Sequence, residues 1–267
     1  VSGSLGRMEL AFERRGSGEP LILVHGIGHH WQAWLPVMDR LAADHTVIAI
    51  DLPGFGVSPR LPAGIPYTAE SLADAVESFC ALLGIREPHV VGNSLGGYIA
   101  LELASRGVVR AATALSPAGF WSRSELLYCQ TTLKALRNSA RAMSPEQAVR
   151  AAGNPVMRAA SSGVLVARPS QLDPAGLVAA TQALAGAAGF DETLESFGGL
   201  MPPAPPKSPI TIAWGERDRL LPRRQAVRAA RWSGQRVKLL KGCGHVPMSD
   251  DPELVARVVL EADRAAS

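Results

Sequence analysis

Apolar and polar positions divide the chain into two patterned blocks and a middle of different character. Residues 8–14 (MELAFER) alternate apolar and polar side chains, the period of a strand with one exposed face. Residues 20–25 (PLILVH) form a short unbroken apolar run ending at Gly26, and residues 46–51 (TVIAID) repeat it before the loop Asp51-Leu52-Pro53-Gly54. Such runs suit strands buried on both faces. Thr68 then reads as a helix N-cap with Glu70 in the first turn; Leu72, Val76, Phe79 and Leu83 follow at helical spacing, and Gly84 can end the helix. Residues 89–92 (HVVG) predict another strand, which runs into Asn93-Ser94-Leu95-Gly96-Gly97 and a helical stretch to about Ser105; residues 108–115 predict the next strand. The pattern resumes late in the chain, with a strand at Ile210–Trp214, a helix at Pro222–Trp232, a strand at 236–240 and a closing helix at Pro252–Ala262. Buried strands alternating with amphipathic helices specify an α/β fold, a parallel sheet with helices on both faces.

Residues 117–200 break this alternation with Ala-rich helical stretches and no convincing apolar strand, and they run into MPPAPPKSP at 201–209. Proline lacks a donor and fixes φ, so that segment is expected to be an extended, stiff connector. The expected organisation is a core of residues 1–116 and 209–267, with 117–208 inserted as a helical cap over the sheet.

Composition narrows the class. Of 267 residues, 47% are hydrophobic and 19% charged, as in a globular chain with a sizeable core. Aromatics make up only 5%, which leaves that core to Ala, Val, Leu and Ile. The net charge of +3 is spread along the chain without a basic run, so no nucleic-acid partner is expected. Cys80, Cys129 and Cys243 are widely spaced and form no CxxC pair, indicating neither a disulfide framework nor a zinc site. No apolar run is long enough to span a bilayer and Val1–Gly18 lacks a signal-type stretch, so the expectation is a cytoplasmic protein without membrane insertion.

Three segments carry candidate chemistry. Gly92-Asn93-Ser94-Leu95-Gly96 matches G-x-S-x-G between a buried strand and a helix, the context in which a sharp turn lifts a serine Oγ clear of the sheet. A serine hydroxyl needs a base to act as a nucleophile. His245, in Gly242-Cys243-Gly244-His245-Val246-Pro247, lies after the last strand, in a loop able to present a side chain over the sheet edge. Asp218 follows the strand ending at Trp214 and is the candidate acid that orients His245; Glu216 is the rival at the same turn, and Arg217 or Arg219 could instead engage Asp218 in a surface ion pair. His25-Gly26-Ile27-Gly28 follows the early strand, and the backbone N–H groups of Ile27 and Leu95 are the candidate oxyanion donors. His25 reads as a structural residue. His29 and His30 invite a metal, but adjacent histidines are not expected to point the same way and no H-E-x-x-H motif follows. Trp31 also breaks any dinucleotide fingerprint at the Gly-rich start. Trp31, Trp34, Phe120, Trp121 and Leu126 are plausible pocket apolars or plain core.

Together HGIG, DLPGFGVS (residues 51–58), GNSLGG, WGERD and GCGHVPMSDDPE (residues 242–253) resemble, in order, the segments of the α/β-hydrolase superfamily. The resemblance implies a mostly parallel eight-stranded sheet, a lid after the sixth strand, a Ser94–Asp218–His245 triad, a small-molecule acyl substrate and no organic cofactor. Serine at position 94, where epoxide hydrolases and haloalkane dehalogenases carry aspartate, implies acyl chemistry on an ester, lactone, thioester or activated C–C bond. GNSLGG is similar to the elbow of meta-cleavage C–C hydrolases, which usually place Trp after the catalytic histidine; Val246 stands there instead. An ester or lactone hydrolase is therefore the first reading and a C–C hydrolase the second. A cofactor-free haloperoxidase-like enzyme, a lyase, or a non-catalytic binding protein on the same fold remain further readings.

Overall fold

The computed structural model describes residues 8–266. The described residues form one seven-stranded sheet in the order β1-β3-β2-β4-β5-β6-β7. Its strands are β1 (Phe12–Arg15), β2 (Glu19–Val24), β3 (His45–Ile50), β4 (His89–Asn93), β5 (Ala111–Leu115), β6 (Ile210–Gly215) and β7 (Lys238–Leu240). β1 is antiparallel to β3, and all other pairings are parallel. The eighth strand that the resemblance implies is not among the described residues. The stretch 8–14 pairs only from Phe12, because the amides of Met8 and Ala11 donate to Ser78 Oγ and Ser58 Oγ rather than to a strand. The stretch 108–115 likewise pairs only from Ala111, since Val108 N–H closes the preceding helix on Leu103 O.

The helices are α1 (Leu35–Leu41), α2 (Ala69–Leu82), α3 (Leu95–Arg106), α4 (Arg123–Ala142), α5 (Pro145–Gly153), α6 (Pro155–Ser162), α7 (Pro174–Gly186), α8 (Phe190–Ser196), α9 (Arg224–Ser233), α10 (Pro247–Asp250) and α11 (Pro252–Ala266). Thr68 caps α2 as expected, its Oγ1 accepting from Ser71 N–H at 3.2 Å. Leu83, counted on the buried stripe from spacing, lies past the helix end and is exposed.

The unbroken apolar runs have a simple structural reason. Ile22, Val24, Ile48, Ile50 and Val90 face one core, with Leu72, Val76 and Phe79 of α2 and Ile99 and Leu103 of α3. Their strand neighbours Leu21, Leu23, Val47, Ala49 and Val91 face the other, with Val37, Met38 and Leu41 of α1 and Val255 and Val259 of α11. Each such fully buried side chain contributes about 1.5–3 kcal/mol relative to exposure. Helices α4 to α8 all lie between β5 and β6, in the segment that lacks strand patterning. No helix among the described residues is long and apolar enough to cross a membrane.

At the N-terminal edge of the sheet, Asp263 of α11 is clasped by three strand starts. Its Oδ2 meets His45 Nε2 at 3.0 Å, and its Oδ1 meets His89 Nδ1 at 2.9 Å and Arg110 at 2.5 Å. His89 Nε2 bonds Thr113 Oγ1 at 2.9 Å. The His89 hydrogen bond, joined by those of His45 and Arg110, holds the Asp263 carboxyl well below the usual carboxylate range, while burial holds the His89 imidazole below its ordinary value. Both depressed values mean that the unfolded chain binds more protons than the folded one, at His89 below its unperturbed 6.5 and at Asp263 below 3.8. Stability is thus full above pH 6.5 and declines as pH falls through these ranges. The urea midpoint should drop steadily from neutral pH into the acid range. Asp263→Ala should cost about 2–3 kcal/mol at pH 7, because it removes the charged acceptor that His45, His89 and Arg110 share. A variant within 1 kcal/mol of wild type in urea titration, by roughly the error of such extrapolations, would remove the clasp from the stability account.

Candidate active site

The parallel order reverses between β2 and β4, which are neighbours although β3 lies between them in sequence. Ligands of such sheets bind at the strand C-terminal ends beside this reversal. The loops leaving β2 and β4 there carry His25–Gly28 and Ser94.

Ser94 is the single residue between β4 and α3. Its backbone stands at φ 57°, ψ −115°, which non-glycine residues rarely hold and which neighbouring contacts must maintain. Those contacts are Ser94 N–H to Leu115 O at 3.0 Å, with Ser94 O accepting from Tyr98 N–H and Ala118 N–H at 3.0 Å each. The flanking glycines are required sterically. A Cβ on Gly92 would stand 1.9 Å from the Gly96 carbonyl oxygen, and one on Gly96 would stand 2.1 Å from that of Val24. Asn93 is more than a spacer, because its Nδ2 donates to Leu115 O at 3.1 Å and His245 O at 2.9 Å. That second bond ties the Ser94 turn to the histidine loop.

His245 and Asp218 are both buried, and His245 Nδ1 meets Asp218 Oδ2 at 2.8 Å. Asp218 Oδ1 accepts from Leu220 N–H at 3.0 Å and Leu221 N–H at 2.8 Å, so the carboxylate is held from both sides. It makes no ion pair with Arg217 or Arg219 among the described residues; Arg219 donates instead to Gly163 O. Glu216 sits elsewhere, its Oε2 accepting from Gly242 N–H at 2.9 Å and bracing the loop that carries His245. Gly215 lets that loop close in, since a Cβ there would stand 2.0 Å from Gly244 O. Asp250, not singled out from the sequence, anchors the same loop through Gly244 N–H at 2.7 Å and reaches Ala167 N–H and Arg168 N–H between α6 and α7.

Ile27 and Leu95 flank the serine. A Cβ on Gly26 would lie 3.1 Å from Ser94 Cβ, which places the Ile27 loop directly against the Ser94 turn. Neither Ile27 N–H nor Leu95 N–H donates to an acceptor among the described residues. His25 holds the loop as expected, with Nδ1 against Gly26 O at 2.7 Å and Nε2 accepting from Leu52 N–H at 3.0 Å; burial pushes its pKa down to about 4. Asp51 fixes the neighbouring loops by accepting from Trp31 N–H and Val57 N–H.

Ser94 and His245 line one cavity of about 490 Å³, although no hydrogen bond joins them among the described residues. Catalytic hydrogen bonds are often long before substrate binds. Helices α4 to α7 and their connections supply most of the wall, including Leu133, Leu136 and Met143, the alanines of α5, and Leu177 and Leu184 of α7. The aromatic candidates for this wall are elsewhere. Trp34 is fully buried in the α1–α11 core, Phe120 packs edge-on to Trp232, and Trp121 rests on Phe197; Trp31 and Leu126 pack against the two cores. In an aromatic-poor chain the wall falls to Ala and Leu on helices whose inward faces only their mutual packing defines. The two adjacent histidines also differ from expectation. Their rings are nearly parallel, 5.3 Å apart at 20°, and His29 Nδ1 accepts from His30 N–H at 3.1 Å. Among the described residues no group of three or more His, Cys, Asp or Glu is placed to hold a metal ion.

Comparison with known proteins agrees with this architecture. The chain is 32% identical over 245 residues to the dihydrolipoyllysine-residue acetyltransferase component of the acetoin cleaving system of Cupriavidus necator, covering 90% of this chain but 62% of that protein. It is 43% identical over 94 residues to 2-hydroxymuconate semialdehyde hydrolase of Pseudomonas sp., covering 34% of this chain and 33% of that one. The crystal structure of a membrane phospholipase A superposes with a TM-score of 0.77 at 27% identity, covering 100% of this chain and 86% of the other. The chain therefore spans under two thirds of the first two relatives. Residues 21–258 match the alpha/beta hydrolase family as a whole, and the chain belongs to that family.

Proposed function

We propose that the protein is a serine hydrolase of small or medium carboxylic esters or lactones, working through an acyl-enzyme on Ser94. The observation that carries this reading is the strained Ser94 opening into the same cavity as a histidine held by a buried aspartate. Asp218 keeps the proton of His245 on Nδ1, which leaves Nε2 free to act as a base. His245 takes the Ser94 proton as Oγ attacks the carbonyl, and the N–H groups of Ile27 and Leu95 hold the oxyanion. Collapse of the tetrahedral species breaks the ester C–O bond, and His245 gives its proton to the departing alkoxide. Water, deprotonated by His245, then attacks the acyl group, and expulsion of Ser94 Oγ restores the enzyme. Residues 117–208 act as the lid that sizes the acyl pocket. Local similarity to 2-hydroxymuconate semialdehyde hydrolase supports C–C hydrolysis as the second reading.

A time course with p-nitrophenyl acetate, butyrate and octanoate tests the first reading, beside a meta-cleavage dienoate for the second. The enzyme is expected to turn over the esters, with a preference for butyrate or octanoate that reports the lid cavity. Turnover of the dienoate alone would reverse the order of the two readings.

A further inference from the structure

The cavity wall is unusual in one respect that bears on substrate. Among the described residues that line it there is no Asp, Glu, Lys or Arg. Its polar groups beyond Asn93, Ser94 and His245 are hydroxyls and one imidazole. Several hydroxyls are already committed to backbone: Thr181 to Leu177 O, and Ser161 and Ser162 to Arg158 O. Asn93 spends both amide protons on Leu115 O and His245 O.

No arginine of the surrounding segments lines the cavity among the described residues. Arg137 lies on α4 behind lining residues, where its guanidinium stacks on Phe190 at 4.5 Å and approaches Asp191 at 3.6 Å, with Nε and Nη1 buried and unpartnered. Arg158 donates to Ala152 O and Ser170 O while its Nε is buried without a partner, and Arg219 donates to Gly163 O. Arg224 and Arg228 both close on Glu125. The remaining nitrogen group is His29, on the loop beside the nucleophile turn. Its Nδ1 accepts from His30 N–H, so its proton sits on Nε2, which has no acceptor among the described residues. Burial also pushes its pKa down to about 3. His29 thus offers the cavity a hydrogen bond without a charge.

We propose that this cavity selects uncharged acyl substrates and discriminates against those carrying a carboxylate, with His29 Nε2–H serving a neutral acceptor. The physical reason is desolvation: a carboxylate taken from water into a wall with no cation loses its hydration and gains no counter-charge. The inference rests on the serine-hydrolase reading for its chemistry but not for its test of charge.

The experiment compares p-nitrophenyl hexanoate with mono-p-nitrophenyl adipate, which has the same acyl length and an ω-carboxylate, at pH 7.5. The hexanoate is expected to be favoured by about 100-fold or more in kcat/KM, equivalent to about 2.7 kcal/mol. Leu136→Arg, which puts a cation in the wall, should narrow that ratio by about tenfold or more. Equal turnover of both esters would overturn the inference and leave Ser94 chemistry standing. If neither ester is cleaved, the serine-hydrolase reading fails instead, and calorimetric binding of hexanamide against adipamate decides the question of charge. Tighter binding of hexanamide supports the inference, and equal binding overturns it.

Discussion

Ser94→Ala is expected to lower kcat for p-nitrophenyl butyrate by on the order of 10⁴–10⁶-fold, with the fold intact. The loss is large because, in the proposed mechanism, the hydroxyl is the group that becomes covalently bonded; water activated by His245 alone would lack its placement. The structural cost is small for an equally specific reason. The Ser94 side chain makes no cap bond to α3, and the contacts that hold the turn run through the backbone to Leu115, Tyr98 and Ala118. Alanine keeps all of them, so the urea midpoint should move by under about 1 kcal/mol in energy. Ser94→Gly sharpens the test. Glycine tolerates φ 57° without strain, and so it should be stabilised relative to alanine by about 1 kcal/mol while being equally inactive. Activity retained in both variants would mean that the nucleophile lies elsewhere.

Asp218→Asn should lower kcat by about 10⁴-fold, with KM little changed. Leu220 N–H and Leu221 N–H both point at Oδ1, so an asparagine would keep its carbonyl oxygen on that side. Its NH₂ would then occupy the Oδ2 position, 2.8 Å from His245 Nδ1. Two donors cannot share that bond. The imidazole would carry its proton on Nε2 and lose the lone pair that must accept from Ser94. Glu216→Gln is the control, because Glu216 touches Gly242 N–H rather than the imidazole. It should cost less than about tenfold, through looser placement of the histidine loop. Stopped assays at saturating ester, with KM determined separately, distinguish the two variants. A severe Glu216→Gln beside a mild Asp218→Asn would exchange the roles assigned to the two acids.

The candidate site was legible where local sequence carries its own geometry. The G-x-S-x-G segment places a serine on a tight turn because glycine alone tolerates the approaches at positions 92 and 96. The loops holding Asp218 and His245 could be placed because each follows a short apolar strand, and strand C-terminal ends gather on one edge of a parallel sheet. The strands themselves were readable from unbroken apolar runs, although 8–14 and 108–115 begin pairing later than their patterns suggest. Apolar alternation records which side chains are buried, whereas pairing depends on where a neighbouring backbone lies. At Met8, Ala11 and Val108 the backbone donors are taken by Ser78, Ser58 and Leu103 instead.

Local patterns were enough for the layering of the sheet, the place of the strand-free helical segment and a short set of candidate residues around Ser94 and His245, because periodicity, glycine turns and strand ends are properties of neighbouring positions. Long-range packing was needed to show which acid meets His245, where the pocket wall runs and how the closing helix is held. Each of these depends on residues far apart in the chain: Asp218 and His245 are 27 positions apart, and His45 and Asp263 are 218 apart. Trp31, Trp34 and Trp121, open in the sequence as pocket or core residues, lie in or against the cores for the same reason. Burial against a core and exposure to a cavity favour the same apolar residues, and only the packing of the helices separates Trp34, in the core, from Leu136, on the wall. His29, which lines the cavity, depended on an even finer contact, since the bond from its neighbour's amide fixes which ring nitrogen keeps the proton.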